Sequence, residues 1–246
     1  MDIVEINNAN AFRHPWEISK VHNIISLVLE QRAHGPFADV GSGDLYFARE
    51  LKNKYGGIIS AIDAGYASFK PADSGGFTIL SSVGGLGHGT AGTAFLLDVL
   101  EHVADEAQFL SEVRNALAPG GRLIVSVPAF GFLFSGHDAF LKHKRRYSLN
   151  DLNETLQKSG FAVDNIFYFY FSLFFVRLAE LVLEKFGAGP LSKKAVSNWK
   201  YPRENILTAS LVLALNLDFK LCRLLSKFKI NLPGLSLCAV STKISS

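Results

Sequence analysis

Short apolar runs at 36–42, 57–62, 76–81, 92–97 and 121–128 are bounded by glycine or polar turns and have helical stretches between several of them. That alternation specifies a parallel sheet covered by helices. Helices are expected over 16–32, 44–54 and 105–118, the last stopped by Pro119-Gly120-Gly121, which turns the chain into the next strand. The stretch 64–75, with Pro71, Ser74 and Gly75, reads as an irregular loop, and 82–91 is too glycine-rich to assign an element. With 246 residues, 48% of them hydrophobic, and no internal repeat, one core with an elaboration is the expected organisation.

In open parallel sheets, ligands sit beyond the carboxyl ends of the strands where strand order reverses. The first run ends in "FADVGSGDLYFARE", 37–50, where Asp39 precedes Gly41 and Gly43 and a helix follows. Glycine has no Cβ, so bare backbone and a helix N-terminus can approach a ligand there. A dinucleotide site would want a third glycine where Tyr46 stands, and Asp44 would oppose a pyrophosphate, so a less anionic nucleoside cofactor fits better. An ordinary turn with no ligand is the plain alternative. The second strand ends in Asp63, about twenty residues on, where a carboxylate either accepts from ribose hydroxyls or caps a helix. The fourth ends in Asp98 and continues as "VLEHV", which brings Asp98, Glu101 and His102 to the same edge.

The net charge of +3 is too mild for nucleic acid without a concentrated basic face. Cys222 and Cys238 lack metal-ligand spacing and sit among apolar residues, which reads as reduced core thiols and a cytoplasmic compartment, and no metal site is expected. The polar, acidic "MDIVEINNAN" lacks the features of a secretory signal.

Taken together, "DVGSGD", the acid at Asp63, "LLDVLEHVADEAQFLSEVRNALAPGGRLIVSVP" at 96–128 and "KRRYSLNDLNETLQKSGF" at 144–161 resemble the class I S-adenosylmethionine-dependent methyltransferases, of the type 11 and type 23 groups. The closing "LPGLSLCAVSTK" resembles that family's last, antiparallel strand, and "HPWE" at 14–17 resembles a segment of relatives encoded among glycan-assembly genes. The resemblance implies a Rossmann-like, doubly wound, seven-stranded α/β sheet, mostly parallel with an antiparallel last strand. It divides the chain into an N-terminal helical segment at 1–35, a cofactor-binding core at 36–163, an apolar helical elaboration at 164–231 and a closing strand at 232–243. It implies S-adenosyl-L-methionine as cofactor, with Asp39, Gly41 and Gly43 at the methionine end, Asp63 on the ribose, and Asp98, Val99 and Leu100 beside the sulfonium. Two departures stand out: Leu45 replaces a glycine of many relatives, and "SSVGGLG" lacks the usual acid beside the adenine.

Methyl transfer from a sulfonium needs alignment and exclusion of water more than catalytic side chains, but an alcohol acceptor needs a base. "FGFLFSGHDAFLKHKRRY", 130–147, offers His137 paired with Asp138, then His143 and Tyr147, as the acceptor-facing wall; the alternative is that the histidines only hold a loop. Lys142, Lys144, Arg145 and Arg146 form either a solvated approach or a seat for an anionic acceptor. The apolar segments 165–186 and 205–228 are interrupted by Arg177 and Asp218, so they serve as a lid, a homodimer interface or a peripheral membrane anchor rather than spans. The basic "KKAVSNWKYPRE" lies between them. The function expected is O-methylation of a small-molecule, glycan or lipid-linked acceptor; the rivals are a non-catalytic interaction module of the same fold and, disfavoured by Tyr46, a nicotinamide-dependent oxidoreductase.

Overall fold

The order of elements follows from which strands can be buried on both faces. In the computed structural model, which describes residues 12–30, 33–68, 75–185 and 199–244, the strand β1 (Phe37–Val40) is buried at every position. So is β2 (Ile59–Ile62), and β4 (Ala91–Leu97) is buried through its first six residues. Side chains alternate across these strands, so Phe37 and Phe95 join one apolar layer while Ala38, Val40 and Leu96 join the other.

The sheet has seven strands in the order β3-β2-β1-β4-β5-β7-β6, with β3 at Thr78–Leu80, β5 at Leu117–Pro128, β6 at Phe161–Phe169 and β7 at Ser236–Lys243. All pairings are parallel except those of β7, which runs antiparallel to both β5 and β6. The doubly wound α/β architecture expected from the sequence is thus observed. Strand order reverses between β1 and β4, which puts the carboxyl ends of β1, β2 and β4 around one crevice.

Helices α1 (Pro15–Glu30), α2 (Tyr46–Tyr55) and α3 (Glu106–Ala116) match the three expected ones within two residues at each end. A short α4 (Gly136–Phe140) and α5 (Leu149–Lys158) each begin with a reciprocal cap, Ser135 with Asp138 and Ser148 with Asp151. The Pro119-Gly120-Gly121 segment proves to be a bulge within β5, between the pairs Ala91–Leu117 and Thr93–Arg122, not a turn ahead of it.

The apolar stretch expected to be helical from 165 is corrected. Residues 161–169 are β6, with Phe167 and Phe169 buried on one face and Tyr168 stacked on Phe130 from the other, a period of two that the continuous run of aromatics conceals. Tyr170, at φ 64°, breaks the strand, and α6 (Phe171–Lys185) follows. Asp218, on α7 (Ile206–Ser226), accepts from the amides of Phe171 at 2.9 Å and Ser172 at 2.8 Å, so the charge that interrupts one apolar segment caps the other. Asn216 of the same helix accepts from Ser19 and Asn23 of α1, each at 2.8 Å. The closing strand begins four residues later than expected, at Ser236. Both cysteines are free and buried. Residues 69–74 of the irregular loop, and Lys193 and Lys194 of the basic connection, lie outside the described residues.

The turn into β7 depends on a bare backbone at Gly234, where a Cβ would overlap the carbonyl of Phe169. Because the obstructing atoms are backbone, Gly234→Ala is expected to destabilise the protein by about 1–3 kcal/mol, read as a lower urea midpoint with an unchanged slope.

Candidate functional site

Around the reversal of strand order lies a cavity of about 790 Å³. One end is walled by the ends of β1 and β2: Asp39, Gly41, Ser42 and Asp63, with Ser81, Ser82 and Val83 beyond β3. The opposite wall carries Lys20 of α1, Glu101, His102, His137, His143 and Arg146. Asp98 and Val99, at the end of β4, lie on the wall as well.

Gly41 has a φ of 82°, and a Cβ there would overlap Val99 Cγ2, so the turn after β1 rests directly on the turn after β4. The amides of Gly41 and Ser42 both donate to the carbonyl of Ile62, at 2.7 and 3.0 Å. Asp63 is doubly held, accepting from the amide of Gly43 at 3.0 Å and from that of Gly65 at 2.8 Å. Asp63 caps the one-turn helix at 64–67, as the plain alternative for it had it, and it also lines the cavity. Leu45 takes φ 66°, the left-handed conformation that a glycine would adopt there without cost, and is fully buried. Packing of the leucine offsets backbone strain of about 1–2 kcal/mol.

Carboxylates are the electrostatic problem of the site. Asp39 is 2% exposed, its Oδ2 has no hydrogen-bond partner, and burial, with Asp44 and Asp63 adding, lifts its pKa to about 7. Burial pushes Asp98 upward too, but the Lys20 ammonium paired with it, helped by the Ser126 hydroxyl at 3.1 Å, holds it below the usual range. Lys20 also lies 4.6 Å from the centre of the Trp16 ring. Glu101 is fully buried, and burial together with the charge of Asp98 raises it well above the carboxylate range. At the mouth, Arg13 pairs with Asp44 and stacks on the Tyr46 ring, 3.8 Å from its centre.

The expected acceptor wall is rearranged. Asp138 does not pair with His137. It accepts from the guanidinium Nε of Arg146 at 2.8 Å, faces His143 Nδ1 at 2.9 Å and caps α4, and these contacts hold it well below the usual range against the opposing effect of burial. His137 and His143 line the cavity; Asp138 stands behind them. Tyr147 does not line it: the phenol is buried and donates to Glu106 at 2.6 Å. Leu100 is likewise buried outside the cavity. Of the four clustered cations, Arg145 is engaged by Glu106 and the carbonyl of Val103, and only Arg146 reaches the cavity. Lys20, Trp16 and Arg13 were not anticipated. The one signal for Lys20 was a cation four residues after Trp16, on the same face of the helix.

Residues 38–125 match a family model described as a methyltransferase domain. A protein of Mycolicibacterium smegmatis named as a probable S-adenosylmethionine-dependent methyltransferase is 39% identical over 69 residues, 27% of this chain and 27% of that protein. The crystal structure of a candidate sarcosine dimethylglycine methyltransferase from Galdieria sulphuraria is similar over 96% of this chain and 92% of its own, at 12% identity and a TM-score of 0.58. Haemonchus contortus phosphoethanolamine N-methyltransferase 2, solved with S-adenosyl-L-methionine, is similar over 91% of this chain and 53% of its own, at 14% identity and a TM-score of 0.51.

The raised pKa of Asp39 has a thermodynamic consequence. A folded carboxyl that holds its proton up to about pH 7 binds more protons than the unfolded chain from about pH 4 upward, so stability falls as pH rises through that window. The slope contributed is about 1.4 kcal/mol per pH unit. Asp39→Asn is expected to remove it, so that urea midpoints of the cofactor-free variant at pH 5 and pH 7 lie closer together than those of the wild type.

Proposed function

We propose, from the methyltransferase-domain match over residues 38–125 and the fold, that this chain is a class I S-adenosylmethionine-dependent methyltransferase that transfers the methyl group to a hydroxyl of a small-molecule acceptor or of a glycan or lipid-linked one. The observation that carries this reading is the union, in one cavity, of the bare-backbone turn and Asp63 at one end with Lys20 and the histidines at the other.

The residues present fit the cofactor. Gly41 leaves no side chain between the first turn and the cavity, Asp63 is fixed by two amides with further lone pairs to offer, and the orphaned Oδ2 of Asp39 lacks an internal partner. Asp39 and Gly41 would border its methionine end, Asp63 its ribose, and Asp98 and Val99 its sulfonium; Ser81, Ser82 and Val83 would take the place of an acid at the adenine. Gly43, expected beside the methionine end, does not line the cavity and instead holds Asp63 through its amide. When bound, S-adenosyl-L-methionine supplies an electrophilic methyl group. The chain's own task is to hold an acceptor oxygen in line with it, exclude water and accept a proton. His137, whose pKa is lowered by desolvation and whose ring is therefore neutral at pH 7, would accept the proton of the acceptor hydroxyl. A dinucleotide is disfavoured by Tyr46 and by Asp44, whose carboxylate accepts from the first amide of α2 at 3.2 Å, where a pyrophosphate would sit.

A lipid-linked acceptor draws support from α7. Leu213, Leu217, Leu221, Leu224 and Phe228 are each 50–70% exposed in a single stripe beside exposed Lys220, Lys227 and Lys229. No helix among the described residues is long and apolar enough to cross a membrane.

Calorimetry is expected to show S-adenosylhomocysteine binding and no binding of NAD. Asp63→Ala should weaken the former by roughly 10- to 100-fold, whereas His137→Ala should leave it unchanged and lower turnover about 100-fold. Wild-type turnover should hold from pH 8 to 6.5 and decline only below that, where the His137 ring gains a proton. Undiminished turnover of His137→Ala at saturating acceptor would dismiss the base.

For the α7 stripe, flotation on vesicles of anionic lipid is expected, with binding that weakens in salt. Replacing Lys220, Lys227 and Lys229 by Gln should cut it by roughly 10- to 100-fold, since each cation near the surface contributes about 1 kcal/mol. Absence of flotation, with a concentration-dependent dimer in the ultracentrifuge, would assign the stripe to a second copy.

A further inference from the structure

Glu101 is a fully buried carboxylate of the site, and both of its oxygens lie out of solvent without a hydrogen-bond partner. Two imidazoles stand against it. His102 follows it in the one-turn helix at 100–102, and His143 comes from the segment after α4, the two rings meeting edge to face with centroids 4.8 Å apart. One ligating atom from each of Glu101, His102 and His143 can be chosen so that all lie within 4.8 Å of one another. His143 is oriented for the purpose. Its Nδ1 faces Asp138 Oδ1 at 2.9 Å, and its Nε2 is turned toward Glu101 Oε1 at 4.0 Å. Asp138 is itself fixed by Arg146 and by the amide of Ser135, at 2.8 and 2.9 Å. A ligating histidine whose other nitrogen is held by an anchored carboxylate is the usual outer arrangement of a metal centre.

Charge points the same way. Among the described residues, Lys20 pairs with Asp98 and Arg146 with Asp138, so both of these cations are committed to a carboxylate other than Glu101. An isolated carboxylate out of water must gain a proton or a cation.

We propose that Glu101, His102 and His143 form a site for one divalent transition-metal ion, of the class of Zn²⁺, Co²⁺ or Mn²⁺, on the acceptor wall of the cavity. Two imidazoles with one carboxylate select such ions over Mg²⁺ and Ca²⁺, which prefer oxygen alone. Ligand bonds of about 2.1 Å place tetrahedral ligands about 3.4 Å apart, so the three side chains close by roughly 1–1.5 Å at the widest pair on the ion. Three protein ligands leave coordination positions facing the cavity, and an oxygen-bearing acceptor would occupy them, its hydroxyl pKa lowered by the ion. That last role rests on the methyl-transfer reading; the metal site does not. The absence of any metal signal from the sequence reading has a simple cause: His143 is far from the Glu101-His102 pair in the chain.

The test is titration of chelator-stripped, full-length protein with Co²⁺, read by its visible d–d absorption, and with Mn²⁺, read by electron paramagnetic resonance. Saturation at one ion per chain is expected. His143→Ala should weaken binding by at least 100-fold, and Asp138→Asn by roughly 10- to 100-fold while leaving all three ligands in place. S-adenosylhomocysteine affinity, measured in the same preparations, serves as the control for folding and should change less than threefold. No metal spectrum, or an unchanged affinity in His143→Ala, would overturn the site and leave Glu101 a protonated buried acid. Failure of all preparations, wild type included, to bind S-adenosylhomocysteine while Co²⁺ still binds would instead reject the cofactor reading and spare the metal site.

Discussion

The turn after β1 and the turn after β4 touch because Gly41 has no side chain, and the geometry of the crevice hangs on that contact. Val99 fills the space a Cβ would take. With the two turns in register, Asp39, Asp63 and Asp98 come to surround one cavity, each at the carboxyl end of a different strand. The amides of Gly41 and Ser42 meanwhile close on β2 through the carbonyl of Ile62. A single methyl group at position 41 would push the β1 and β4 ends apart and separate the two halves of the site.

Bringing so many acids together has an electrostatic cost, and the molecule meets it differently at each one. Asp98 receives Lys20 from a helix far away in the chain, Asp44 receives Arg13, and Asp138 receives Arg146 and His143. Asp63 uses backbone amides instead. Asp39 Oδ2 and both oxygens of Glu101 have no hydrogen-bond partner within the protein, and both groups have pKa values raised by burial. Groups left in that condition inside a cavity are the ones whose ionisation a ligand can change, which is why the unpaired acids, more than the paired ones, mark where binding energy is available.

The cofactor half of this arrangement was legible in the sequence because it is local. Strand, glycine turn and helix are contiguous at 37–50, and Asp63 and Asp98 can be placed simply by ending their strands. The other half was not, for two physical reasons. Period-two burial is invisible in a run such as "FYFYFSLFF", where both faces are aromatic, so β6 merged with the helix after it. Pairings between distant segments leave no spacing to read: His137 and Asp138 are neighbours in the chain, yet Asp138 turns to His143 and Arg146, and Tyr147 turns to Glu106. Leu45 falls between these cases. Its departure from glycine was noticed, but that the position takes a positive φ while the side chain is fully buried emerges only from the fold.

The recognised family segment spans residues 38–125 and contributes Glu101 and His102 to the wall opposite the glycine turn, but the other groups of that wall lie outside it. Lys20 and Trp16 come from α1, His137, His143 and Arg146 from the segment after β5, and Tyr170 and Leu173 from the break between β6 and α6. These segments are tied to one another rather than to the sheet alone. Tyr170 donates to the carbonyl of Trp16 at 2.9 Å, Asn216 of α7 holds Ser19 and Asn23 of α1, and Asp218 of α7 caps α6. The acceptor wall is therefore braced by the helix that carries the exposed apolar stripe, through a chain of hydrogen bonds from α7 to α1 and from α1 to Lys20 and Asp98. Whatever covers that stripe bears on the element that positions Lys20, so the surface on which α7 rests and the chemistry beside Asp98 share one mechanical support.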